Sequence, residues 1–329
     1  MELIDIYDNE VPEFISRIST CAIFGRLQGI GMNCGCEYTD LPLFRGIEPY
    51  SRYDHSIGVS LIVWHFTKDI RASIAGLLHD ISSPSFSHVI DFLNRDYINQ
   101  ESTEASTLDM IRSSDELVRI LSEYGLGPED VCDYHLFPVA DNATPRLSAD
   151  RLEYTLGNGL KYRFITIDSV KRIYDDITII RNEDNIDELA FINPDVASEF
   201  SRLALSCSKV YVSDQDRYAM QILSEIISNA MERGTIRREQ LYEPENSLIR
   251  RLCSAESSKK EWEHYTRLSG VSISGPGSQA RMIVAKKRYI NPLVKNRCRV
   301  TDYDDDFRTA LTEYLYHSLE YWIEGIFND

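Results

Sequence analysis

The segment from residue 51 to 91, SRYDHSIGVSLIVWHFTKDIRASIAGLLHDISSPSFSHVID, constrains the fold most. It contains two apolar helical runs, IGVSLIVWHF and ASIAGLL, flanked by three metal-capable side chains. His55 stands before the first run; His79 and Asp80 end the second. Asp and Glu are almost never fully buried unless paired or bound to a cation. Asp80 closes a buried apolar helix, so something must compensate its charge. Imidazole nitrogen together with carboxylate oxygen suits a single divalent ion such as Mn, Mg, Fe, Ni, Co or Zn.

The other bounds come from the whole chain. Its 329 residues exceed the usual size of one domain but remain possible for one large helical unit. A net charge of −17 argues against general nucleic-acid binding, which needs clustered Lys and Arg. Any anionic substrate must therefore meet a local basic pocket or a bound cation. The seven cysteines are scattered and odd in number, as in a reduced cytoplasmic protein. Cys34-Gly35-Cys36 has no second Cys/His pair at zinc-site spacing. The acidic N-terminus lacks a basic-then-apolar signal, and no stretch of about 18 apolar residues predicts a membrane span.

In chain order, residues 11–30 read as a helix and 31–50 as a loop. Ile81 to Ser85 read as a turn. Pro84 is expected in the first turn of the next helix, where His88 and Asp91 share a face at i,i+3 spacing. Residues 100–125 predict charged helix, and SADRLEYTLGNGL opens another with Asp150 near its start. A β-hairpin at about 176–192 is the one β element expected. A long helical region follows at about 194–233, then an amphipathic stretch near 245–265. SGVSISGPGSQ (269–279) reads as a mobile loop, AKKRYINPLVKNRCR as a basic run, and 305–327 as a terminal helix.

His55…His79-Asp80…Asp150 resembles the H…HD…D signature of the HD-superfamily phosphohydrolases. SRYDHSIGV is similar to the (N/T)RFEHSLGV segment of their dNTP-triphosphohydrolase branch, which includes the bacterial dGTPases and the vertebrate SAM-and-HD-domain enzyme. LLHDISSPSFSH resembles its LLHDLGHGPFSH, and ADRLEYTLGN its D-R-x-D-Y-x-x-R-D. FGRLQGIG upstream and SKVYVSDQDRYAMQILSEII downstream extend the likeness over roughly residues 24–230. The resemblance implies a mainly all-α HD-domain bundle, with residues 1–235 catalytic and 236–329 a C-terminal helical extension. It implies one metal ion held by His55, His79, Asp80 and Asp150. Arg52 and Arg151 would hold the phosphates, His88 oriented by Asp91 would serve the leaving oxygen, and Tyr154 and Tyr211 would line the sugar and base pocket. It also implies a homo-oligomer.

The departures bear on the substrate more than on the metal. The family's second phosphate-contacting histidine is Ser83 here, and its helical HE dipeptide has only Gln100-Glu101 as a counterpart. Met32 and Asn158 replace the glutamine and aspartate that read the sugar 3′-hydroxyl in the family. Plainer readings exist for each residue. Arg52 pairs with Asp54 or Glu48; His88 and Asp91 form a surface pair; Tyr154 and Tyr211 are core; His65 is packed; His135 has no chemical neighbours. Lys286-Lys287-Arg288 is either a solvated face or reaches a phosphate. The leading expectation is a dNTP triphosphohydrolase-like enzyme. The alternatives are a nucleotidase or phosphodiesterase with the same ion, and a degenerate module that senses a nucleotide.

Overall fold

The protein is described from a computed structural model covering residues 3–93, 106–295 and 298–329. Ser51 starts the helix that organises it. Its hydroxyl accepts from Asp54 N–H at 3.2 Å, while the Asp54 carboxylate accepts from Ser51 N–H at 3.2 Å. This reciprocal cap satisfies two end groups and fixes where Arg52–Thr67 begins. That helix buries every residue from His55 to Val63. Each large aliphatic buried there contributes about 1.5–3 kcal/mol.

Ile70–Leu78 folds back against it, capped by the Asp69 carboxylate. The two lie so close that a Cβ on Gly76 would sit 3.2 Å from Val59. Ala149–Lys161, capped by Ser148, packs on the first helix and is covered in turn by Pro194–Tyr211. Asp214–Glu232 then runs beside Val89–Leu93. The fold is mainly α, as expected. No helix among the described residues is long and apolar enough to cross a membrane.

Several expected helices are broken. Residues 11–30 split into Glu13–Ser19, Ala22–Gly25 and a 3-10 turn, because Cys21 is extended between the first two. The 194–233 region breaks where Ser213 caps a new helix, and 245–265 divides into Glu245–Leu252 and Glu256–Thr266. Within 100–125, Thr107–Arg112 and Asp115–Glu123 are helical. Pro84 lies in turns ahead of Val89–Leu93, not in its first turn.

The hairpin forms as expected, Ile177–Arg181 against Asp187–Phe191, but it is not the only β element. Leu293–Val294 adds to it in parallel. A second sheet joins Leu268–Ile273 and Arg281–Met282 to Trp322–Phe327. The segment read as a mobile loop is thus half strand. The terminal helix stops at Tyr316, and the chain's end is a strand. Trp322, Ile323, Ile326 and Phe327 are good strand formers, and their pairing partners lie forty or more residues away.

Candidate active site

The helix starts and ends just described bring four side chains to one point. His55 sits in the first turn of its helix, His79 and Asp80 directly after Ile70–Leu78, and Asp150 in the first turn of Ala149–Lys161. His55 Nε2 is 3.0 Å from Asp150 Oδ1 and 4.0 Å from Asp80 Oδ2. His79 Nε2 is 3.5 Å from Asp80 Oδ2 and 3.7 Å from Asp150 Oδ1. One ligand atom each of His55, His79 and Asp80 lies within 4.8 Å of the others, a group that could hold one divalent ion, and Asp150 Oδ1 stands beside both imidazoles.

The orientation of the rings fits as well. His79 Nδ1 hydrogen-bonds the Gly76 carbonyl at 2.7 Å, and His55 Nδ1 the Glu153 carboxylate at 2.5 Å. Each Nδ1 donates to its acceptor, which turns each Nε2 toward the shared point. Glu153 is itself buried, and accepts from Tyr50 OH and, at 3.3 Å, from Tyr7 OH. Gly58 makes room for it: a Cβ there would meet Glu153 Cγ at 2.7 Å. The motifs did not single out Glu153. The available signal was its position three residues after Asp150, on the same helix face.

Charge follows from this packing. Burial opposes the charged form of His55, yet hydrogen bonds to Asp150 and Glu153 outweigh it and raise its pKa to about 10. Burial likewise opposes ionised Asp80, but Arg52 and the two imidazoles hold it well below the usual carboxylate range. Asp150 is also lowered, by its bond to His55, against burial.

Arg52 pairs with neither Asp54 nor Glu48. Its Nη1 lies 2.9 and 2.8 Å from the two Asp80 oxygens, and its Nε donates to Ser87 Oγ at 3.1 Å. Ser83 donates to Asp80 Oδ1 at 2.8 Å. His88 Nδ1 donates to buried Asp91 at 2.9 Å. The net pKa of His88 is lowered, although the pairing with Asp91 by itself raises it. Burial lowers it, Asp91 raises it, and the charges of Arg288 and Arg52 lower it again.

Arg52, His55, His79, Asp80, His88 and Asp150 line one cavity of about 560 Å³, together with Arg151, Tyr154 and Tyr211. Tyr154 and Tyr211 meet edge to face, with centroids 6.3 Å apart. Arg151 is committed to the protein: it donates to Asn142 Oδ1 at 2.7 Å and to the Asn142 and Arg146 carbonyls at 2.6 and 3.1 Å. Asn158 donates to Tyr211 OH at 2.8 Å, while its buried Oδ1 has no partner. Asp216 also lines the cavity, as does His135, which lies 3.4 Å from Asp141 and so has a chemical neighbour after all. His65 is exposed near Asp8 instead of packed in the core. Gln100 and Glu101 lie outside the described residues.

No protein-family model matches the chain. Over 134 residues it is 34% identical to the uncharacterized protein YdhJ of Bacillus subtilis, a stretch spanning 40% of each chain. Over 245 residues it is 25% identical to the metal-dependent phosphohydrolase cns2 of Cordyceps militaris, covering 73% of this chain and 68% of that protein. Among solved structures, a phosphohydrolase of Bacteroides thetaiotaomicron aligns over 97% of both chains, with a TM-score of 0.63 and 13% identity. A hypothetical protein of Aquifex aeolicus aligns with a TM-score of 0.63 at 16% identity, over 96% of this chain and 93% of that one.

Proposed function

We propose that this protein is a metal-dependent phosphohydrolase acting on a phosphate ester of a nucleotide. The observation that carries the reading is the convergence of His55, His79, Asp80 and Asp150 on one point in the wall of a large cavity. A divalent ion held by those four would polarise phosphorus and make hydroxide accessible near neutral pH. The chain's own groups supply the rest. Arg52 uses Nη1 and Nε on Asp80 and Ser87, which leaves Nη2 outside those bonds to meet a phosphate oxygen. His88, its Nδ1 proton held by Asp91, offers Nε2 to the leaving oxygen. A lowered pKa makes its protonated form the stronger acid. The Tyr154–Tyr211 corner supplies aromatic faces for a sugar and base.

The finer reading is dNTP triphosphohydrolase-like cleavage to nucleoside and triphosphate. Removal of a single phosphate is a second reading, favoured by Arg151, whose guanidinium is already bonded within the protein. The test is incubation with Mn, Mg, Co or Ni and a panel of dNTPs, NTPs and monophosphates, with metal analysis of the protein. Release of triphosphate supports the first and of orthophosphate the second. Nucleotide binding without any product, unaffected by His88→Ala, refutes hydrolysis in favour of a sensor.

A further inference from the structure

The stretch AKKRY at 285–289 is strongly basic in a chain of net charge −17, and the reading above assigns it nothing. It crosses the cavity as an extended strap tied down on several sides. Before it, fully buried Arg217 donates to the Ile283 carbonyl. After it, Asn291 N–H donates to the Pro145 carbonyl at 2.8 Å, tying the strap to the loop that forms another cavity wall. In its middle, Lys287 donates to the Leu315 carbonyl at 2.7 Å and to that of His317, beside the Tyr314 ring. Tyr314 OH donates to the Arg288 carbonyl at 3.2 Å.

Those ties fix the alternation of the three cations. With Lys287 turned to the last helix, Lys286 and Arg288 line the cavity that holds the metal-capable quartet. Arg288 shares the lining of that cavity with His88, Tyr154 and Asp216. Cations gathered around a partly enclosed space raise the local concentration of anions against the field of the whole protein. A guanidinium also matches phosphate geometry with two donors.

Resting on the phosphohydrolase reading, we propose that Lys286 and Arg288 contact the substrate and select one with a second phosphate group beyond the phosphate at the His55–Asp150 wall. The strap thereby adds two cations to the cavity wall that Arg151 also lines. The single-phosphate alternative would leave these two cations without a substrate contact.

The test is calorimetric titration with inorganic triphosphate and with orthophosphate, in buffer with excess magnesium. The wild-type protein is expected to bind triphosphate at least tenfold more tightly than orthophosphate. Lys286→Gln with Arg288→Gln should remove that preference, and Lys286→Arg with Arg288→Lys should keep most of it. A double Gln variant with a wild-type circular dichroism spectrum and unchanged preference overturns the proposal. Should that variant fail to fold, the two single Gln variants decide: unchanged triphosphate affinity in both overturns it. The two readings fail separately. Triphosphate binding that depends on the strap, with no ester hydrolysed, refutes only the hydrolase. Hydrolysis of polyphosphate substrates with unaltered kcat/KM in the double Gln variant refutes only the strap.

Discussion

Glu153→Gln should weaken metal binding although Glu153 touches no ion. The buried carboxylate receives the His55 Nδ1 proton at 2.5 Å and hydroxyls from Tyr50 and Tyr7. A glutamine has one acceptor oxygen where three donors converge, and its NH₂ group adds a donor among donors. Removing the partner that orients a metal-binding histidine typically costs about 10–100-fold in affinity. That corresponds to about 1.4–2.8 kcal/mol. A second effect opposes it. Glu153 also helps hold the His55 pKa at about 10, so at neutral pH an incoming ion must displace a proton from wild-type His55. Losing Glu153 eases that displacement. The two effects separate with pH: the defect should be small near pH 7 and grow toward the full 10–100-fold as pH rises toward 10. Anaerobic Mn titrations followed by the electron paramagnetic resonance of free Mn, at pH 7 and 8.5, measure it. Asp150→Asn serves as a variant that removes a ligand itself. A folded Glu153→Gln protein matching wild-type affinity at pH 8.5, while Asp150→Asn binds poorly, would refute the orienting role.

Other perturbations test other parts of the site. Gly58→Ala puts a Cβ 2.7 Å from Glu153 Cγ, and urea unfolding should record a loss of about 1–3 kcal/mol. His88→Ala should lower kcat by about 10²–10⁴-fold and leave Mn affinity unchanged, as steady-state assays and metal titration report. Metal at 100 times its Kd should add about 2.7 kcal/mol of stability, so a chelator should lower Tm in calorimetry. Burial raises Asp216 from 3.8 to about 7. Between those values the folded chain binds more protons than the unfolded one, so this group's contribution to stability falls as pH rises through the window. Asp216→Asn should remove that slope and gain up to about 4 kcal/mol on wild type at pH 8 relative to pH 4, by urea titration at both.

The site was legible because its chemistry sits in short local motifs at helix ends. His55 follows a Ser-x-x-Asp cap, His79 and Asp80 end an apolar run, and Asp150 follows another serine cap. Caps and burial are local properties, so the pattern alone located the helices that carry the four candidate residues. What supports those ligands was not legible. Glu153 acts through Gly58, Tyr50 and Tyr7, three residues from two distant stretches, and only the packing of helices shows that they meet.

The same division explains the C-terminal third. Trp322–Phe327 becomes a strand because Leu268–Ile273 lies alongside it, a pairing over fifty residues apart that local periodicity does not encode. The strap depends on the same long-range packing. Its three adjacent cations are equivalent in the sequence, and the last helix distinguishes them by accepting Lys287 at its carbonyl end. A basic run that reads as a solvated face therefore becomes a wall of the cavity by its fastening. Moving the end of Asp305–Tyr316 would turn Lys286 and Arg288 without altering either residue. The C-terminal helix is thus tied to the cavity wall, and that tie determines which of the three cations face the cavity.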